Sequence, residues 1–160
     1  MTQAHVAAIF IYPEESKPGH SVAQAMAVEG RGLEGDRYFA ADDPHEDRGS
    51  DLTLIEAEAI EGVVAAGIEF GLGDSRRNVV TRGVDLNALV DQTFRVGGVE
   101  CRGIRLNHPC AHLESLTQPG VMKALVNRGG LRASIVNGGA IKVGDAIVVE
   151  AAEPTGASTR

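Results

Sequence analysis

Tryptophan is absent from this 160-residue chain, and aromatic residues make up only 4% of it. A surface that grips single-stranded nucleic acid by stacking bases needs several exposed rings, so that function is not expected. Cysteine is nearly as scarce, with only Cys101 and Cys110. Two thiols are too few for the disulfide framework of a small secreted domain or for an iron–sulfur cluster. No apolar run reaches the roughly 18–20 residues of a membrane-spanning helix. The opening Met1-Thr2-Gln3-Ala4-His5 has no basic segment ahead of an apolar one, so a secretory leader is not expected either. Positive charge is in deficit: 15 Lys+Arg against 22 Asp+Glu leave a formal net charge of −7. That balance disfavours broad attraction to nucleic acid or anionic lipid. Together these absences point to a cytoplasmic protein with no nucleic-acid or membrane partner.

What is present is an ordinary globular composition, 43% apolar and 23% charged. A chain of this length buries enough surface for one core, so a single domain over residues 1–150 is expected. The remainder, 151–160, is small and polar and should fray. The 20 glycines fall between short β-branched runs. Val6–Ile11, Ala25–Val28, Leu52–Ile55, Asn78–Val80, Thr93–Val96 and Val99–Leu106 read as strands, followed by Leu131–Val136, Ala140–Val143 and Ala146–Glu150. A helix should follow Ile55, because Ala59, Ile60, Val63 and Val64 recur at helical spacing and Gly67 suits its end. Val84–Val90 reads as a helical turn or short helix, and 38–51 as an acidic loop or flap. The last three strands are joined by tight connections, which predicts antiparallel pairing. The fold class is therefore mainly β with a few helices, a closed or half-closed antiparallel barrel.

Three segments could carry chemistry. Gly30-Arg31-Gly32-Leu33-Glu34-Gly35 matches G-x-G-x-x-G, but it does not lead into a helix as a dinucleotide fold requires. It reads as a glycine-rich loop between strands, with Arg31 and Arg37 able to hold an anion. Arg76-Arg77-Asn78 is either a solvated surface pair or an anion site. In the second case an arginine would grip phosphate bidentately and the Asn78 amide would meet a heterocycle. The third segment is His108-Pro109-Cys110-Ala111-His112. Proline suits the first helical position, which makes His108 the N-cap of a short helix and places Cys110 in its first turn. A thiol there lies at the positive end of the helix dipole, which favours the thiolate. His108, Cys110 and His112 also have the composition of a zinc set, although the proline and the two-residue spacing do not point them one way. Cys101, inside a strand, reads as a small buried hydrophobe.

The order of these segments resembles the MOSC domain, the module named for the C-terminus of molybdenum cofactor sulfurase. The resemblance rests on Gly35-Asp36-Arg37, Leu52-Thr53-Leu54-Ile55-Glu56-Ala57-Glu58, Arg77-Asn78 with Gly83-Val84-Asp85-Leu86-Asn87, and Pro109-Cys110. It closes with Arg128-Gly129-Gly130-Leu131-Arg132-Ala133 and Gly138-Gly139-Ala140-Ile141-Lys142-Val143-Gly144-Asp145. It implies a standalone MOSC protein with a β-barrel-like fold and a role for Cys110 beside a molybdenum cofactor, a pterin. In one version Cys110 carries sulfur as a persulfide received from a pyridoxal-phosphate-dependent cysteine desulfurase. In the other its thiolate is a molybdenum ligand, and N-hydroxylated substrates are reduced with electrons from a separate redox partner. Arg37, Arg77 and Asn78 match positions near the cofactor, and Asp36 would orient an arginine. A binding module that keeps the fold without the chemistry is the third reading.

Overall fold

The computed structural model describes residues 3–14, 16–37, 39 and 51–150. Most of the expected acidic loop, all but Phe39 and Asp51, and the expected tail lie outside them. Among the described residues eleven strands follow one another: β1 (His5–Ile11), β2 (His20–Val22), β3 (Gln24–Val28), β4 (Gly32–Leu33), β5 (Leu52–Glu56), β6 (Val79–Arg82), β7 (Thr93–Val96), β8 (Val99–Leu106), β9 (Leu131–Asn137), β10 (Gly139–Lys142) and β11 (Ile147–Val149). Helix α1 (Ala57–Ala65) lies between β5 and β6, while α2 (Ala111–Leu116) and α3 (Val121–Ala124) lie between β8 and β9. A single 3-10 turn, Leu86–Leu89, stands where the helical turn was expected.

Strand β5 explains the layering. Its adjacent apolar residues Leu54 and Ile55 face opposite ways, because both faces of the strand are covered there. Leu52 and Leu54 enter a core with Val6, Ile9, Phe94, Leu131 and Ile141. Ile55 points the other way, into a second core with Ile60, Val63, Leu113, Val121 and Leu125. One core thus lies between the two sheets and the other beneath the helices. Helix α1 brings the chain back so that β6 pairs parallel to β5, with Ile55 opposite Val80. The helix buries Ala57, Ala59, Ile60 and Val63. Val64, expected to face inward, is 52% exposed, because Ala57 rather than Val64 completes the buried stripe. Gly67, at φ +90°, turns the chain out of the helix.

The larger sheet has eight strands in the order β11-β7-β8-β9-β5-β6-β1-β2, and the smaller has three in the order β10-β3-β4. The ladders do not close, so the expected barrel gives way to two open sheets facing each other. β1 and the chain leading into β11 meet at an isolated bridge between His5 and Ala146, flanked by the Val6 N–H donating to the Asp145 carbonyl and the Ile147 N–H to the Ala4 carbonyl. The expected pairing among the last three strands also fails. β9 pairs with β8 and β5, β10 with β3, and β11 with β7. The short connection at Gly138-Gly139 is not a hairpin turn but a crossing from one sheet to the other. A Cβ on Gly138 would lie 2.5 Å from the Ala27 carbonyl oxygen of β3. Gly139 holds φ +152°, which side chains rarely adopt. The glycine-rich hexapeptide, in turn, completes the turn after β3 and contains β4 itself, whose Gly32 pairs with Val28. Gly138→Ala therefore strains the sheet crossing against backbone, and the account predicts a loss of about 2–4 kcal/mol, read as a lower urea midpoint at unchanged slope.

Candidate functional site

Strands β8 and β9 pair down to Leu106 opposite Leu131 and then part. The chain between them forms an excursion whose base is closed by the Asn107 N–H donating to the Gly130 carbonyl at 2.8 Å. Leu113, Val121 and Leu125 seat its helices on the second core. The Glu114 carboxylate accepts from the Met122 N–H at 2.9 Å and ties α2 to α3. This excursion carries Cys110.

Arg77 holds the excursion from within. It is only 9% exposed, and its guanidinium donates to four carbonyls: Gly129 at 2.9 Å, Asn107 at 3.2 Å, Ser75 at 3.3 Å and His108 at 3.5 Å. A planar fork with five donors can satisfy several carbonyls at once, which an ammonium cannot do in the same plane. Gly129 completes the joint. A Cβ there would lie 2.2 Å from the Asn107 carbonyl oxygen and 2.8 Å from Pro109. Both ends of the excursion thus meet at one buried guanidinium.

With the Asn107 and His108 carbonyls held in this way, the helix starts two residues later than expected. Cys110, at φ −139° and ψ 167°, is itself the N-cap, and α2 begins at Ala111. His108 is not the cap, Pro109 lies outside the helix, and Cys110 precedes the first turn. The Cys110 thiol is exposed. It opens on a cavity of about 270 Å³ lined by Arg37, Arg76, Arg77 and Arg132, with Thr53, Asn107, His108, His112 and Leu113. Among the described residues that line it, none is a carboxylate. His112 Nε2 lies 3.2 Å from the Ser16 hydroxyl and links α2 to the segment after β1.

The structure brings three of the expected residues, Cys110, Arg37 and Arg77, around this one cavity. Asn78 does not line it. Its amide donates to the Phe10 carbonyl at 3.0 Å and to Asp36 Oδ1 at 3.1 Å, while its own oxygen accepts from Thr53 at 3.1 Å. Only 4% exposed, it fastens β1, β5 and the Asp36 turn to one another. Asp36 Oδ1 also accepts from the Tyr12 N–H at 2.9 Å. Two cations approach the Tyr12 ring, the Arg76 guanidinium 4.7 Å and that of Arg37 5.7 Å from its centroid. Burial is the main reason its hydroxyl resists ionisation, and that hydroxyl donates to the Gly73 carbonyl at 2.6 Å. Sequence reasoning did not select Arg76 or Arg132 as lining residues. Arg132 was accessible to it, because Leu131, Ala133 and Ile135 alternate inward and turn Arg132 to the other face of β9.

The second cysteine is of another kind. Cys101 is fully buried in the core between the sheets. Burial, with smaller contributions from the charges of Asp51 and Glu100, pushes its thiol up to about 12. The zinc alternative finds no support, since no cluster of three or more metal-binding side chains occurs among the described residues.

The sequence profile of the MOSC domain matches residues 43–148. The chain belongs to the MOSC domain family, which is associated with molybdenum-cofactor-binding proteins. Its fold is similar to that of the YuaD protein from Bacillus subtilis, with a TM-score of 0.78 at 17% identity, over 95% of this chain and 98% of that one. It is also similar to YiiM from Geobacillus stearothermophilus, at a TM-score of 0.70 and 15% identity, over 92% of this chain and 75% of that one. YiiM from Escherichia coli gives 0.67 at 16% identity, over 92% and 70%. No curated protein matches the chain significantly. Among the described residues no helix is long and apolar enough to cross a membrane.

Two predictions follow from the joint and the two thiols. A disulfide reagent at neutral pH should modify Cys110 alone in the native protein and Cys101 as well only after unfolding; native labelling of both would contradict the burial of Cys101. Arg77→Lys should cost about 3 kcal/mol or more in chemical denaturation, because the carbonyls of Asn107, His108 and Gly129 then lose their shared donor. Arg82→Lys, a conservative change in an exposed ion pair with Glu61, should cost less than about 1 kcal/mol.

Proposed function

We propose that the arginine-lined cavity binds the phosphorylated pterin of the molybdenum cofactor, with the Cys110 sulfur as the protein's ligand to the metal. One observation carries this reading: an exposed thiol opens on a cavity lined by four arginines with no carboxylate among its described lining. In a chain of net charge −7, such a concentration of guanidinium groups is selective for an anion. The residues fit the group. Arginines pair bidentately with phosphate, and a thiolate is a soft ligand suited to a thiophilic metal. A bound molybdenum cofactor would supply two-electron oxygen-atom chemistry, here the reduction of N-hydroxylated compounds. The chain itself supplies the remainder: Arg37 and Arg132 face the anion, and Arg77 fixes the segment that presents the sulfur. Electrons would come from a separate redox partner.

A sulfur-carrier role is the second reading, favoured by the exposure of Cys110, since a partner's persulfide must reach the sulfur directly. A cysteine desulfurase would then be the partner. Elemental analysis joined to intact mass separates the two. Protein purified from cells that make the cofactor should hold molybdenum close to stoichiometric with the chain, and Cys110→Ser should lose most of it. Absence of molybdenum in the wild type, with added sulfur on Cys110 after incubation with a desulfurase and cysteine, would replace the first reading by the second.

A further inference from the structure

A second cavity of about 390 Å³ lies beside the first and shares only Arg76 with it. None of the residues that carry the proposed function otherwise lines it. Its floor is aromatic: Phe10 and Tyr12 are stacked with centroids 6.5 Å apart. Glycine backbone packs closely beside both rings, and of the two only Phe10 is half-buried while Tyr12 is buried. A Cβ on Gly73 would lie 2.8 Å from the Phe10 ring, and one on Gly19 would lie 2.3 Å from the Tyr12 ring. Two non-glycine residues on its wall, Ser16 at φ +63° and Arg76 at φ +61°, hold left-handed backbone. Such strain persists only where the surroundings fix it, and it gathers at ligand sites.

The polar groups indicate the ligand. Lys17 and Arg76 line the cavity, and Leu116 adds an apolar edge. Among the described residues Lys17 has no ion-pair partner. Arg76 is held in place by donating to the Lys17 carbonyl at 2.6 Å and the Glu14 carbonyl at 3.4 Å. Among the described lining residues one carboxylate, Asp74, also faces the cavity and accepts from the Gly71 N–H at 2.7 Å. A half-buried ring and an aliphatic edge suit a planar apolar body, while the two cations suit one acidic group. The volume falls in the range of small-molecule sites.

We infer that this cavity is a separate binding site for a small aromatic carboxylate, its ring over Phe10 and its acid toward Lys17 and Arg76. The site does not depend on Cys110 or on a metal, and its test uses the full chain free of molybdenum. Titration with benzoate to roughly 10 mM, followed by amide NMR shifts, should give saturable changes at Gly19, Gly73 and Thr117. Acetate, which lacks the ring, and benzyl alcohol, which lacks the charge, should bind about tenfold more weakly or worse. Lys17→Gln, an exposed change, should weaken benzoate by about five- to tenfold, and Asp74→Asn should tighten it. Absence of saturable shifts, shifts confined to the Cys110 cavity, or equal binding of benzoate by wild type and Lys17→Gln would overturn the inference.

Discussion

The Arg77 guanidinium, buried among backbone carbonyls, is the joint on which the site depends. A buried cation is costly unless its donors are satisfied, and here neutral carbonyls from the two ends of one excursion accept from it. The carbonyls benefit equally, because excursion backbone that leaves a sheet has no ladder partner of its own. Gly129 allows the close approach, and Asn107 closes the base. The Cys110 sulfur is therefore presented from backbone fixed two and three residues earlier, at Asn107 and His108. The dipole of the six-residue helix behind it has little part in placing it.

Electrostatics follows from the same placement. The chain is acidic as a whole, yet the arginines that meet at the cavity come from the Asp36 turn, the approach to β6 and the outward face of β9. These segments are distant in sequence and adjacent in the fold because β5 sits between β6 and β9 in the larger sheet. Thr53, on β5 itself, lines the cavity while Leu52 and Leu54 on either side of it enter the core. The alternation that builds the core thus also delivers polar groups to the site.

The strand positions were largely legible because β-branched runs bounded by glycines carry a local signal. Pairing was not. The short links after β9 and β10 resemble hairpin turns, but the partners that decide their course, β3 and β7, lie far away in sequence. The parallel match of β5 to β6 was equally hidden, although the neighbouring apolar pair Leu54 and Ile55 on β5 was its trace. At the site, Cys110, Arg37 and Arg77 were selected on residue type and resemblance, and all three meet at one cavity. What the sequence could not show is that Arg77 is a joint as well as a lining residue, or that Asn78 binds neighbouring strands. Those roles depend on carbonyls, which every residue carries and no sequence pattern marks. The helix start was misjudged for the same reason: Pro109 permits a helix, but Arg77 keeps the chain before it extended.

X-ray absorption at the molybdenum edge, on cofactor-loaded wild type and on Cys110→Ser loaded to the extent it allows, tests the central claim most directly. The account predicts sulfur scattering from the protein in the wild type that Cys110→Ser loses and replaces with a lighter neighbour. Identical sulfur scattering in the two proteins would contradict it, since the metal would then be held without the one thiol that faces the cavity.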